Sequence, residues 1–182
     1  MRHSVMLFGV IVSIGMLLAS APAGAQVNVN KDAIAGVTNP ARIESTIACA
    51  GAITAQSVPE IKKLGFKSII NLREATEPGA NVEAETAAAK AEGIRYAHVP
   101  FNAQKADPAV ADSFLKAITG PGMEPSFVHC AGGNRAATMW FIKRVEVDRW
   151  DVSRALEEAT ALGMTSPQMK YYALAHIEAH KK

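Results

Sequence analysis

Residues 127–140 read FVHCAGGNRAATMW and hold, at close spacing, residue types that can do chemistry. His129 and Cys130 close an apolar run, Ala131-Gly132-Gly133 follow without bulk, and Asn134 and Arg135 open an apolar stretch of helical character. The glycines let backbone N–H groups curl around a small anion, and a helix starting at Asn134 turns its positive end toward the same place. An adjacent helix N-terminus and a cation favour thiolate over thiol at Cys130. Arg135 adds a planar fork that can hold two oxygens of a tetrahedral anion. A lone cysteine at the end of a strand would read as a small buried hydrophobe. The ordered set of strand, His-Cys, Gly-Gly, Arg and helix instead describes a nucleophile on the floor of an anion cradle.

Such a cradle needs a sheet beneath it, because ligands of open α/β sheets bind beyond the carboxyl ends of strands. Residues 26–41 are polar and read as a loose lead-in, and RIESTIACAG then reads as a short strand ending near Cys49. Ser57-Val58-Pro59-Glu60 has capping-box spacing for a helix that Gly65 stops. FKSIINLR (66–73) is a β-branched run of buried-strand length, EATEPGA a loop, and 82–92 an Ala/Glu-rich helix ended by Gly93. RYAHVPF (95–101) is a third strand, Asp107-Pro108 opens a helix to Thr119, and SFVHC is the fourth strand. Helices follow from Asn134 to Val147, after an Asp151 cap, and after Ser166-Pro167. The alternation predicts an α/β three-layer sandwich with a central, mainly parallel sheet of four or five strands.

The N-terminus has the layout of a secretory signal: Arg2 and His3, an apolar run from Val5 to Leu18, and Ala23-Gly24-Ala25 before Gln26. The run is shorter than the roughly 20 residues that span a bilayer. The expected organisation is a signal peptide over 1–25 cleaved after Ala25, a lead-in over 26–44 and one domain over 45–182. That places the protein in the periplasm or outside the cell, with no stable membrane anchor. The mature chain would carry 18 basic and 17 acidic residues, a net charge of +1 without a Lys/Arg block, which argues against nucleic acid as a partner. Two cysteines, Cys49 and Cys130, are too few for a disulfide framework. Cys49 either fills a small core site or pairs reversibly with an oxidised Cys130.

His129-Cys130…Arg135 resembles the signature loop of cysteine-dependent protein tyrosine and dual-specificity phosphatases. The wider match is to bacterial dual-specificity-phosphatase-like proteins and the phosphatase-like domain of beta-lactamase-hydrolase-like proteins. It is carried by AGAITAQSVPEIKKLGFKSIINLRE (50–74), GIRYAHVPF (93–101) and HCAGGNRAATMWFIKRV (129–145), and it extends over about residues 45–175. The resemblance implies a hydrolase of phosphate esters that works through a phosphocysteine intermediate, without metal or other cofactor. Cys130 would be the nucleophile and Arg135 the oxyanion-binding arginine. Ala131, Gly132, Gly133 and Asn134 would bind substrate, as would His129, which would also orient the loop. The partner would be a small phosphorylated substrate or a phosphoprotein, and the protein a monomer.

Three features depart from the classical pattern. Four residues separate Cys130 from Arg135, one fewer than in classical phosphatases, and rhodanese sulfurtransferases share the shorter spacing. Ala136 replaces the usual hydroxyl residue after the arginine. The general acid of the family falls near VPFNAQKAD, where Asn102 occupies the expected place and Asp107 comes somewhat late. Asp107 is taken as the catalytic acid, although it also suits a helix N-cap, with Glu74 and Glu77 as alternatives. Two further readings therefore stay open, a sulfurtransferase carrying a persulfide on Cys130 and a non-catalytic anion-binding module. Arg73 ends a strand on the side of the site and suits either substrate or a salt bridge. His98 reads as a sheet-face residue, and Trp140 and Trp150 as packing. His176 and His180 have i,i+4 spacing but no third metal ligand in sight, so no metal site is expected.

Overall fold

A computed structural model describes residues 27–181 of the chain. The signal peptide expected over 1–25 lies outside the described residues. Among them, no helix is long and apolar enough to cross a membrane.

The five strands are β1 (Ala41–Ile43), β2 (Ile47–Ala50), β3 (Ser68–Asn71), β4 (Arg95–His98) and β5 (Ser126–His129). They form one sheet in the order β1-β2-β5-β3-β4, parallel except for β1. Helices α1 (Val58–Lys63) and α2 (Val82–Glu92) cover one face. The other carries α3 (Ala109–Ile118), α4 (Asn134–Glu146), α5 (Val152–Ala161) and α6 (Pro167–Ala179). The predicted three-layer sandwich is thus present, with its sheet at the larger of the two strand numbers.

Alternation along the strands sorts the core. Val128, Ile70 and Cys49 face the α4 side, while Phe127, Ile69 and Ala48 face α1 and α2. Strand β5 is the middle of the sheet and fully buried, as parallel strands covered on both faces must be. The residue after it, Cys130, lies at the carboxyl end of the central strand.

Three local expectations give way. RIESTIACAG is a hairpin, not one strand: Ala41–Ile43 turns back through residues 44–46 and pairs antiparallel with β2. The lead-in is not loose, because Asn30 bridges Arg42 and Val37 bridges Ile53. The capping box at Ser57 also does not form. A 3₁₀ turn leads into α1, so the Ser57 hydroxyl donates back to the Thr54 carbonyl and Glu60 pairs with Lys63 instead. The caps at Asp151 and Ser166 form as read, each side chain accepting first-turn N–H groups.

Candidate active site

The site is built where β5 gives way to α4. Cys130 is only 1% exposed and lies on the α4 side of the sheet. The chain then turns through Ala131 and Gly132 to Gly133, which stands before α4 with φ of 102°. A side chain is strained in that left-handed region, so glycine suits the position.

The orientation of this loop follows from where its carbonyls go. The Ala131 carbonyl accepts from the Ala52 N–H at 3.0 Å, and the Gly132 carbonyl from the Asn39 amide at 3.3 Å. In a planar trans peptide the C=O and the following N–H point in opposite directions. Fixing these two carbonyls against the lead-in therefore turns the N–H groups of Gly132 and Gly133 the other way. The Gly133 N–H does donate to Cys130 Sγ, at 3.1 Å. The Ala131 and Gly132 N–H groups donate to no other backbone group among the described residues. Asn39 and Ala52 shape the cradle, and sequence reasoning missed both. Gly51 lets them approach: a Cβ there would lie 2.8 Å from the Ala131 oxygen and 2.9 Å from Thr38 Cβ.

Arg135, the second residue of α4, reaches across the ends of the strands. Its Nη1 donates to the carbonyls of Leu72 and Phe101, and to Glu77 Oε1 at 2.6 Å, while Nη2 donates to Glu77 Oε2 at 2.8 Å. Burial works against the guanidinium cation, but Glu77 and the Cys130 sulfur outweigh it and hold Arg135 above its ordinary range. Burial likewise pushes the Glu77 carboxyl up. The Arg135 bonds, the Glu74 N–H and Arg73 more than offset this and bring it down to about 2. Glu77 is therefore a carboxylate at neutral pH with no proton to give, which removes it as the general acid of this arrangement. Its role is to hold Arg135.

Other predicted residues fall elsewhere. His129, expected to bind substrate and orient the loop, is on the opposite face of the sheet from Cys130, because successive strand residues alternate sides. Its Nε2 lies 3.2 Å from Glu85 Oε2, inside a buried group that includes Asn71 and Tyr96. Burial raises the Glu85 carboxyl, but bonds from His129 and Tyr96 prevail and lower it below its ordinary value. Glu85, on the inner side of α2 and 1% exposed, went unrecognised in an Ala/Glu-rich segment. Asn134 contributes backbone at the start of α4, but its side chain bonds Thr165 Oγ1 at 2.9 Å and so ties down the α5–α6 loop.

Arg73 makes the salt bridge. Its guanidinium is spent on Glu77 and on the carbonyls of Pro78 and Gly79, and the residue is 3% exposed. Asn102 accepts two N–H groups of its own turn, from Gln104 and Lys105. Asp107 is exposed beside His98 in a shallow groove, and its Oδ1 accepts the Ala109 N–H at 2.9 Å where α3 begins. The loop it closes is pinned to α6 by Gln168 on the Ala103 carbonyl and Tyr172 on the Asp107 carbonyl. His98 bonds the Arg73 carbonyl from an exposed edge of the sheet. Ala136 is fully buried, and the nearest hydroxyl along α4, on Thr138, bonds back to the Asn134 carbonyl. Cys49 and Cys130 are both free, and Cys49 pairs in register with Val128. Burial, then the nearby Cys130 sulfur, pushes the Cys49 thiol well above its ordinary range. Trp140 is core, as expected, with its indole N–H on Glu158.

Comparison with known proteins places this geometry. The family model for the beta-lactamase hydrolase-like protein, phosphatase-like domain, matches residues 41–147. The beta-lactamase hydrolase-like protein of Agrobacterium fabrum is 34% identical over 107 residues, covering 56% of this chain and 24% of that protein. The chain thus spans about a quarter of that relative's length. Among solved structures, a cysteine-to-serine form of P. aeruginosa TpbA in complex with pTyr is similar with a TM-score of 0.61 at 22% identity, over 85% of this chain and 91% of that one. The core catalytic domain of the PP-IP phosphatase SIW14 from S. cerevisiae, in complex with citrate, is similar with a TM-score of 0.61 at 15% identity, over 79% and 88% of the two chains. The fold is that of the cysteine-dependent phosphatase-like proteins.

Proposed function

The chain belongs to the family of phosphatase-like domains of beta-lactamase hydrolase-like proteins, and from that premise we propose that it hydrolyses phosphate monoesters through a phosphocysteine on Cys130. One observation carries this reading: the Gly133 N–H donates to the buried Cys130 sulfur, and that sulfur also favours the cation of Arg135 at the start of the same helix. That arrangement supplies a nucleophile, N–H donors for the oxygens of a tetrahedral anion, and a fork whose aim Glu77 fixes.

The proposed reaction has two steps. Cys130 Sγ attacks phosphorus in line, so an S–P bond forms as the ester P–O bond breaks and the leaving alkoxide takes a proton. Water then attacks the phosphocysteine, the S–P bond breaks, inorganic phosphate leaves and the thiolate returns. Arg135 and the loop N–H groups hold the three equatorial oxygens throughout. We assign the leaving-group proton to Asp107, with Glu74 as the alternative, because Glu77 is committed to Arg135 and Asn102 has no acidic proton. Substrate is a small phosphorylated molecule or a phosphoprotein. The TpbA complex holds pTyr, a phosphate monoester of the kind this proposal requires, and SIW14 is a PP-IP phosphatase.

Hydrolysis of an aryl phosphate, inhibited by vanadate and lost in Cys130→Ser, is the expected result. Thiocyanate formation from thiosulfate and cyanide, without phosphate release, would make the four-residue loop a persulfide carrier instead. Phosphate binding with neither activity would leave a non-catalytic module. We further propose that the protein is exported and acts as a monomer. Protein recovered from a bacterial periplasm should begin at Gln26, and a cytoplasmic product that retains Met1 would contradict export.

A further inference from the structure

The i,i+4 histidines of α6 have a partner that their own segment does not show. Asp112, on α3, brings Oδ1 to 3.8 Å from His176 Nε2 and to 3.8 Å from His180 Nε2. One donor atom from each of the three residues lies within 4.8 Å of the other two. Glu146, at the end of α4, adds a second carboxylate with Oε1 3.3 Å from His176 Nε2.

His176 sets this cluster apart from a chance meeting of surface charges. The residue is 4% exposed, and neither of its ring nitrogens has a hydrogen-bond partner among the described residues. Glu146 Oε1 is also buried and unpartnered, so the 3.3 Å approach to His176 is not an aligned hydrogen bond. Buried polar atoms are normally paired, and an orphaned imidazole nitrogen facing carboxylates asks for a shared partner. His180 is set up for that partner too. Its Nδ1 lies 2.8 Å from the His176 carbonyl, which can only accept, so the proton sits on Nδ1 and the Nε2 lone pair is free. The two rings stack with centroids 4.1 Å apart, and both Nε2 atoms approach the same Asp112 oxygen.

We propose that Asp112, His176 and His180 bind a divalent borderline metal ion such as zinc, with Glu146 or water in the fourth position. Two imidazoles and a carboxylate are a common donor set for zinc, and the two carboxylates balance its charge. The His-to-carboxylate separations of 3.3–3.8 Å, within a cluster spanning at most 4.8 Å, must contract to close around an ion with bonds of about 2.0–2.2 Å. His176 and His180 also line a cleft of about 320 Å³ that opens to solvent and gives an ion access. The ion would join α3 to α6 far along the chain from Cys130.

The test uses untagged protein in a Cys130→Ser background, because a thiolate also takes zinc. Zinc alone should raise the melting temperature of this protein progressively as its concentration rises. Added His180→Ala or Asp112→Ala should each abolish that rise. Both side chains are partly exposed, at 44% and 60%, so both variants should melt cooperatively without zinc. Each should weaken zinc binding by more than the about 10–100-fold typical of losing an outer-shell partner. No rise in the background protein, or a rise that survives either substitution, overturns the proposal.

Discussion

Glu77 faces Arg135 with both oxygens: Oε1 accepts from Nη1 at 2.6 Å and Oε2 from Nη2 at 2.8 Å. A fork held this way presents its remaining N–H groups at a fixed angle, and the Cys130 sulfur favours its cation. Glu77→Gln keeps the shape but removes the charge. It should cost roughly 1–3 kcal/mol of stability at neutral pH by leaving a buried donor poorly matched, and it should lower kcat on an aryl phosphate. Loss of stability with unchanged kcat would show that Glu77 does not position the arginine.

The same pair sets an acid dependence. The Glu77 carboxyl lies at about 2 when folded, against an ordinary 4.5. A depressed carboxyl contributes stability above its unfolded value and loses it as pH falls toward the folded one. The stability difference between wild type and Glu77→Gln should therefore be flat near neutrality and close as pH drops from 4.5 toward 2. Urea titrations at several pH values measure it, and a gap that widens on acidification contradicts the assignment.

Gly51 stands where a Cβ would press on the Ala131 carbonyl. Gly51→Ala should cost about 1–3 kcal/mol as an overpacked site. It should also reduce turnover at temperatures where the variant remains folded, since displacing that carbonyl rotates the N–H groups of the cradle. Denaturation curves and initial rates on the same sample separate the two effects.

Asp107 has two uses, cap and acid, and asparagine preserves only the first because it caps helices as well as aspartate does. With a leaving group that needs protonation, Asp107→Asn should lower kcat by about 10²–10⁴-fold while leaving the melting temperature unchanged. Unaltered kcat would return Asp107 to the role of a cap.

The central site was legible because it is local. Strand, Cys130, two glycines and Arg135 lie within ten residues, and their order dictates a strand end, a turn and a helix start. The rest is set by contacts between distant segments. Asn39 orients the Gly132 carbonyl from 93 residues away, and polar composition made its segment look unstructured. Strand alternation turns His129 away from Cys130, but the partner it meets there, Glu85, lies 44 residues before it. The capping box at Ser57 failed because its spacing fits two conformations, and the 3₁₀ turn ahead of α1 chose the other. Asp112 and His176 meet only because α3 and α6 share one face of the sheet.

The most direct test of the account is to stop the enzyme during turnover of an aryl phosphate with acid and locate the phosphoryl group by peptide mass spectrometry. The account predicts a phosphoryl adduct on Cys130 that disappears as substrate is exhausted, and no turnover in Cys130→Ser. Turnover that persists in Cys130→Ser, or a phosphoryl group found on any other residue, would contradict it.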